Sequence, residues 1–399
     1  MIQMLALTVV SLLFTAAYSQ VVYQTPLSTI TGTLGQPVLL QSFNPYGMAV
    51  VTSNFGSLQQ NDLIISGWND ANGNFGQGQT FSILRNDILV NTVTVNGGNS
   101  NIPSQCKAPN GGLGFTMALE YLKNGVVLQC NIPIPLAING DATNINVPPK
   151  KGCCLAIDII NNNVLAVFSS NQIAGPWGSA IQITGNTVHV WISNALGDNN
   201  TGFVTRYTFS LPSSPNDWHS NTIGAPIVVA TGFKTNDAPP NIQNGVVGPS
   251  GLAYDNVFDV LYIASTIDGI NGQIFRVPFA SSCGTSLIPC TKQLFINCPN
   301  AGTKPNSGCN NPIGINLISK FPFVTNILVA NGGDNNLVEY SENGSLVTVR
   351  TINQTVNGAF DPANAFLFNI IKVGNRPEIA FVDDNFNSVS FIKQTNLFG

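Results

Sequence analysis

A short strand opener, Pro-x-Gly followed by an apolar run, returns along this chain at related intervals and constrains the fold more than any other feature. Asn44-Pro45-Tyr46-Gly47 leads into Met48–Val51, and Gly175-Pro176-Trp177-Gly178 into Ser179–Ile183. Gly248-Pro249-Ser250-Gly251 leads into Leu252–Tyr254, and Asn311-Pro312-Ile313-Gly314 into Ile315–Ile318. The prolines lie 131, 73 and 63 residues apart. The first step is about twice the others and calls for a degenerate unit near its middle, which Gly112-Leu113-Gly114 ahead of Phe115–Leu119 supplies. A sixth, weaker unit begins near Gly358, with Ala365–Phe368 as its strand.

Behind each opener comes a second apolar strand: Asp62–Ser66, Gly125–Gln129, Val188–Ile192, Val260–Ala264, Asn326–Ala330 and Glu378–Val382. Each runs into a small or amide residue and an Asn/Asp/Gly turn. A third, alternating strand follows in most units, as in Gly272–Val277 and Asn336–Tyr340. Apolar runs bounded by turn signals are what a sheet buried on both faces requires. Three or four such strands repeated every ~50 to 70 residues form small sheets that bury their faces only against neighbours in a ring. The expected fold is all-β, a propeller of six blades with about four antiparallel strands each, spanning residues 20–399 as one domain. The glycine of the opener lets the innermost strand approach the axis where a side chain would clash. Residues 20–41, with Val21–Tyr23 and Val38–Leu40, are expected to pair with the last blade and remove its open edge. Trp68, Trp177 and Trp191 read as packing between blades.

The first 17 residues, MIQMLALTVVSLLFTAA, form an apolar run too short to span a bilayer comfortably. Ala17 and Ser19 place small residues at the −3 and −1 positions of a signal-peptidase site, so residues 1–19 read as a signal peptide. No later stretch is long and apolar enough to span, and the expected location is extracellular. Charged residues make up 9% of the chain, against about 25% in ordinary soluble domains. The net charge is −4, with no basic footprint for nucleic acid or an anionic membrane. Asn outnumbers even the 38 glycines. Its side chain tolerates the left-handed backbone region and bonds its own turn, which suits a chain of many short strands.

An oxidising compartment makes the 8 cysteines disulfide candidates. Cys106, Cys130, Cys153 and Cys154 lie around the second unit. Cys283, Cys290, Cys298 and Cys309 lie in a Ser/Pro/Gly/Asn-rich segment at about 279–311, read as an insert between the fourth and fifth blades. Each group of four allows three connectivities, and the vicinal Cys153-Cys154 pair is expected to bond two different partners. Three sequons, at Asn199, Asn343 and Asn353, are glycosylation candidates in the same compartment.

Asn44–Val51 with Asn61–Ser66 and Gly76–Thr80 resembles the opening blade of secreted NHL-repeat proteins. Gly175-Pro176-Trp177, Val247–Tyr254 with Leu261–Ser265, and Phe381–Asn385 resemble later blades of that family. The resemblance implies a six-bladed propeller and secretion and brings no catalytic residues with it. The cysteine-rich segment, the Asn richness and the low charge set the chain apart from usual members.

Chemistry is sparsely signalled. His189 lies inside the strand Val-His-Val-Trp and reads as packed, while His219 sits in a loop; neither is placed with a carboxylate and serine as a triad requires. Gly-Pro-Ser250-Gly is a blade opener and not a nucleophile elbow. The turn residues after the second strands, Asp70, Asn131, Asn194, Asp268, Asp334 and Asp383, supply the oxygen ligands that a hard cation such as calcium takes. Asp and Asn also cap turns through backbone hydrogen bonds. The first reading is an extracellular binding or matrix module for a protein or glycan partner, with the cysteine-rich segment as a recognition element. The second is a calcium-dependent lactonase or esterase-like hydrolase with the metal on the propeller axis.

Overall fold

The computed structural model describes residues 33–34, 36–40, 44–70, 72, 76–95, 102–108, 111–133, 152–168, 172–197, 201–218, 223–235, 248–269, 271–285, 287–298, 308–321, 324–352, 368–373, 376–383 and 387–393. The segment read as a signal peptide, Gly358, His219 and the sequons at Asn199 and Asn353 lie outside them.

Two short strands, β1 (Thr33–Leu34) and β2 (Val38–Leu39), precede the first blade. Blade one is β3 (Pro45–Val50), β4 (Leu63–Gly67), β5 (Thr80–Arg85) and β6 (Ile88–Thr94). Blade two is β7 (Phe115–Lys123), β8 (Val126–Ile132), β9 (Cys153–Asp158) and β10 (Asn163–Phe168). Blade three is β11 (Pro176–Thr184), β12 (Thr187–Asn194), β13 (Thr201–Ser210) and β14 (Ile227–Lys234). Blade four is β15 (Pro249–Asp255), β16 (Val260–Ser265), β17 (Gln273–Pro278) and β18 (Gln293–Asn297). Blade five is β19 (Pro312–Phe321), β20 (Val324–Asn331), β21 (Asn336–Tyr340) and β22 (Leu346–Thr351). Blade six is β23 (Phe368–Val373), β24 (Arg376–Asp383) and β25 (Ser388–Lys393), completed by β1 and β2, which both pair with β25. Every sheet is an antiparallel meander, so the protein is a six-bladed β-propeller.

The first strands of successive blades touch one another, and β23 touches β3, which closes the inner ring. Six apolar clusters lie one between each pair of neighbouring blades. The second strands, nearly all buried, are apolar on both faces because each face meets a different neighbour. Val38 takes part in ring closure as its sequence suggests, together with Thr33–Leu34, whereas Val21–Tyr23 lies outside the described residues. Closure is reinforced where Asn44 N donates to Asn387 Oδ1 at 2.8 Å and where Lys393 pairs with Asp87.

The Pro-x-Gly opener encodes a β-bulge. Pro45 pairs with Gly67 and Met48 with Ile65, so three steps on the inner strand match two on its partner. Pro176 and Ser179 against Asn194 and Ile192, and Pro249 and Leu252 against Ser265 and Ile263, repeat the offset. The bulge frees Gly178 N from the ladder, and Ser193 Oγ accepts its proton at 2.8 Å. In blade two the same register falls on Thr116-Met117-Ala118, where Thr116 pairs with Asn131 and Leu119 with Gln129. The expected opener Gly112-Leu113-Gly114 therefore sits just ahead of the strand, with Gly114 in a bridge to Gly78. Physical need explains the glycines: a Cβ on Gly178 or Gly251 would lie closer than 3.0 Å to the carbonyl oxygen of Ser250 or Ile313 on the next blade.

Asparagine does the turn work its abundance implies. Among the described residues, eight of the eleven non-glycine residues with positive φ are Asn: 44, 61, 86, 124, 162, 311, 335 and 387. The cysteines form four disulfides: Cys106–Cys153, Cys130–Cys154, Cys283–Cys290 and Cys298–Cys309. The vicinal pair thus bonds two different partners. Cys130–Cys154 ties paired residues of β8 and β9, and Cys106–Cys153 ties the connector from blade one to β9. The segment at 279–311 holds β18, so two small disulfide loops flank the outer strand of blade four. Among the described residues no helix is long and apolar enough to cross a membrane.

Candidate functional site

The turn residues singled out from the sequence sit at the end of the ring where the inner strands begin. Asn131, Asn194 and Asn331 are the last or nearly last residues of β8, β12 and β20, all fully buried. Each ties its strand to the connector arriving from the previous blade. Asn131 Nδ2 donates to Cys106 O at 2.9 Å and to Leu113 O. Asn194 Oδ1 accepts from Ala174 N at 2.9 Å, and its Nδ2 donates to Ile192 O at 3.0 Å. Asn331 Nδ2 donates to Gly308 O and to Asp334 Oδ1, both at 3.0 Å.

The carboxylates at this end serve nearby chain. Asp70 Oδ1 accepts from Asn72 N at 2.9 Å. Asp268 accepts from Ser265 Oγ at 2.7 Å and from Lys234 N at 3.3 Å. Asp334 also accepts from Asn336 N at 3.2 Å; burial pushes its pKa up, against the pull of its Asn donors. Asp383 ends β24 with its backbone paired to Ser388. Among the described residues no three His, Cys, Asp or Glu side chains converge as a metal cluster. The amide oxygens of Asn131 and Asn331, at matching places in blades two and five, are buried without a hydrogen-bond partner.

Aromatic side chains fill the same end of the axis. Tyr46 stacks on Trp68 with centroids 4.6 Å apart, and Trp177 meets Tyr46 edge-on at 5.5 Å. Phe115 meets Trp68 edge-on at 5.0 Å, and Met117 and Ile132 complete the cluster. Tyr46 and Trp177 occupy the x position of their Pro-x-Gly openers, so the bulge that places the glycine also turns these rings together. Trp191 instead stacks on Tyr254 at 4.3 Å between blades three and four. Trp68, Trp177 and Trp191 are all packing residues.

His189 is half-buried in β12, with Nδ1 2.8 Å from Thr208 Oγ1; burial and then the Arg206 guanidinium hold its pKa below the usual value. Arg206 donates to Ala280 O at 2.6 Å and Cys283 O at 3.2 Å, capping the turn that opens the first small disulfide loop. Asn343 sits in an exposed turn whose Ser345 N donates to its Oδ1 at 3.0 Å.

At the opposite end of the strands, blade four presents an apolar surface. Val257 and Phe258 sit at the tip of the β15–β16 turn, which Asp255 Oδ1 caps at 2.9 and 3.2 Å. Phe279 follows β17, and its turn is bound to the first by Ala280 N donating to Asp259 O at 3.1 Å and Ser281 N to Asp259 Oδ1 at 2.8 Å. The Cys283–Cys290 loop then carries Leu287 outward. Leu287 is 89% exposed, Phe279 59%, Val257 53% and Phe258 49%. The sequence marked the cysteine loop but not Val257-Phe258. Two large apolar residues inside an Asp-Asn…Asp turn, where polar residues are the rule, were the available signal.

Comparison with known proteins agrees on the fold. No family model matches the chain, and no curated protein matches it. Among solved structures, the GH93 α-L-arabinofuranosidase of Fusarium graminearum, solved with arabinobiose, aligns at 9% identity over 90% of this chain and 98% of its own, with a TM-score of 0.51. The microbial sialidase Hz136 aligns at 9% identity over 89% of this chain and 66% of its own, with a TM-score of 0.50. A gluconolactonase from Xanthomonas campestris aligns at 13% identity over 93% of this chain and 94% of its own, with a TM-score of 0.48. For the first two, at 9% identity, the likeness is one of fold.

Proposed function

We propose that the protein is an extracellular binding module that engages a protein partner through the apolar surface of blade four. The observation that carries this reading is Leu287, 89% exposed on a loop held in shape by Cys283–Cys290 and by Gly284 N donating to Ile288 O at 2.8 Å. A large apolar side chain on a braced loop costs little further ordering when a partner covers it. Phe279, Val257 and Phe258 add exposed apolar side chains on two hydrogen-bonded turns at the same end of blade four, and clustered exposed apolar surface marks association sites. Its aliphatic content favours a protein surface over a sugar, which takes hydrogen-bonding groups beside its aromatics. The four disulfides and the weakly charged chain support an extracellular setting, in which the sequons at Asn199, Asn343 and Asn353 are available for glycosylation. The test compares wild type with Phe279→Ser/Leu287→Asp on arrays of extracellular proteins and of glycans. Protein hits lost in the double variant at unchanged melting temperature support the reading. Hits that survive it, or hits confined to glycans, refute it.

The calcium-dependent lactonase or esterase-like hydrolase is the second reading. It draws on the partnerless amide oxygens of Asn131 and Asn331, since hard cations take such ligands. Millimolar calcium should then raise the melting temperature, and Asp334→Ala should reduce the shift. An unchanged melting temperature would remove this reading.

A further inference from the structure

Blade register exposes one place where the repeat is broken twice in compensating fashion. The inner-strand residue paired three positions before the second-strand residue that faces the start of the bulge (Gly67, Asn194, Ser265 and, in blade two, Asn131) is Ala49, Ala180 and Ala253 in blades one, three and four. In blade two it is Glu120, paired with Leu128. The residue just before it is Met48, Leu119, Leu252 or Ile315 in blades one, two, four and five, but Ser179 in blade three. Across three other interfaces the alanine shares an apolar cluster with the large residue of the next blade: Ala49 with Leu119, Ala180 with Leu252, and Ala253 with Ile315. Between blades two and three, Glu120 takes the alanine's place and Ser179 the leucine's. Ser179 Oγ donates to Glu120 Oε1 at 3.0 Å. One side chain grew where its neighbour shrank, so the interface stays filled while gaining an ionisable group.

The environment offers that group little support when charged. Strands β3, β4, β8 and β11 pack against β7 and carry no Asp, Glu, His, Lys or Arg. Their titratable groups are the Tyr46 phenol and Cys130, which is in a disulfide; β7 itself adds Tyr121 and the exposed Lys123. Both Glu120 and Ser179 are partly exposed.

We propose that the Glu120–Ser179 pair is a proton-operated latch between blades two and three: the neutral carboxyl holds the interface closed, and the ionised one draws water into it and loosens it. Burial among uncharged strands pushes the Glu120 pKa from the usual 4.5 up to about 7, with the Ser179 hydrogen bond pulling the other way. A carboxyl whose pKa is raised by folding stabilises the native state fully below its unfolded value, and that contribution is lost as pH rises through the folded value. Stability from this group is therefore lost between about pH 4.5 and about pH 7, and the latch itself opens as pH rises through about 7. His189, lowered by folding, acts in the opposite sense, so a comparison with Glu120→Gln isolates the latch.

Only four glutamates occur in the chain, at 120, 339, 342 and 378, so 13C-glutamate NMR of the wild-type protein can follow each carboxyl separately. One of them should titrate near 7, and Glu120→Gln should remove that signal. From about pH 5 to about pH 8 the wild type should lose several degrees of melting temperature relative to Glu120→Gln. Hydrogen-exchange protection factors in β7 and β11 should fall over the same range in the wild type alone. Glu120→Ala/Ser179→Leu, which restores the pairing seen at the three other interfaces, should melt without this pH dependence. Titration of all four carboxyls in the ordinary range overturns the proposal, and needs no variant to fold. So does a carboxyl titrating near 7 with parallel melting profiles for wild type and Glu120→Gln, since ionisation would then leave the interface untouched.

Discussion

Replacing Gly178 by alanine tests the physical meaning of the repeat. The added methyl would lie closer than 3.0 Å to Ser250 O and at 3.0 Å from both Ser250 C and Gly251 Cα. All three are backbone atoms of the adjacent blade, fixed by the β15–β16 ladder and by Ser193 Oγ donating to Ser250 O at 2.6 Å. Ordinary contacts of this kind begin at about 3.3–3.6 Å, so blades three and four must part by roughly 1 Å at the axis. A gap of that size forfeits a quarter to a half of the dispersion energy of each facing atom pair, which here includes the cluster around Ala180 and Leu252. Overpacking of this kind costs about 1–3 kcal/mol, with the immovable partner placing this site at the upper end. At about 2.1 cal/mol/K per residue the folded chain unfolds with an entropy near ~0.8 kcal/mol/K, so the melting temperature should fall by about 3–4 °C. Gly251→Ala faces Ile313 O at 2.5 Å and Ile315 N at 2.8 Å and should behave alike. Urea unfolding and thermal melting of both variants provide the measurement. Changes below about 0.5 kcal/mol in both would refute the claim that these glycines set blade spacing.

Asn194→Ala leaves Ala174 N without its acceptor in a fully buried setting and should cost about 2–3 kcal/mol, with hydrogen exchange quickened at Ala174. Loss of the Cys130–Cys154 bond, which closes a separation of 24 residues, should destabilise by roughly 3 kcal/mol, and loss of Cys283–Cys290, which closes 7, by roughly 2 kcal/mol. Denaturant titration of the paired Cys→Ser variants checks that order. His189→Gln should flatten stability on the acid side of pH 6.5, because the wild-type imidazole resists protonation when folded and its contribution is lost as pH falls below the unfolded value. Melting at a series of pH values, with Glu120→Gln as background, reads this effect alone.

Local sequence determined the architecture because its signals are local. Apolar runs bounded by Asn and Gly turns specify short strands wherever they stand, and their spacing admits one arrangement that buries both faces of every sheet. Even the place of Val38 in ring closure could be read from an apolar pair ahead of the first opener. Other features depended on which blades meet. The true register of blade two lies at Thr116-Met117-Ala118 and not at Gly112–Gly114, because the bulge is set by pairing with Asn131 and not by composition. The turn asparagines looked alike in sequence, yet their amides answer to connectors 18 to 25 residues away. Disulfide pairing followed the β8–β9 register, which brings Cys130 opposite Cys154. Glu120 and Ser179, 59 residues apart, acquire meaning only where blades two and three meet side by side. The chain thus carries its fold in short-range pattern, while its chemistry arises at interfaces between blades, where residues far apart in sequence share one desolvated space.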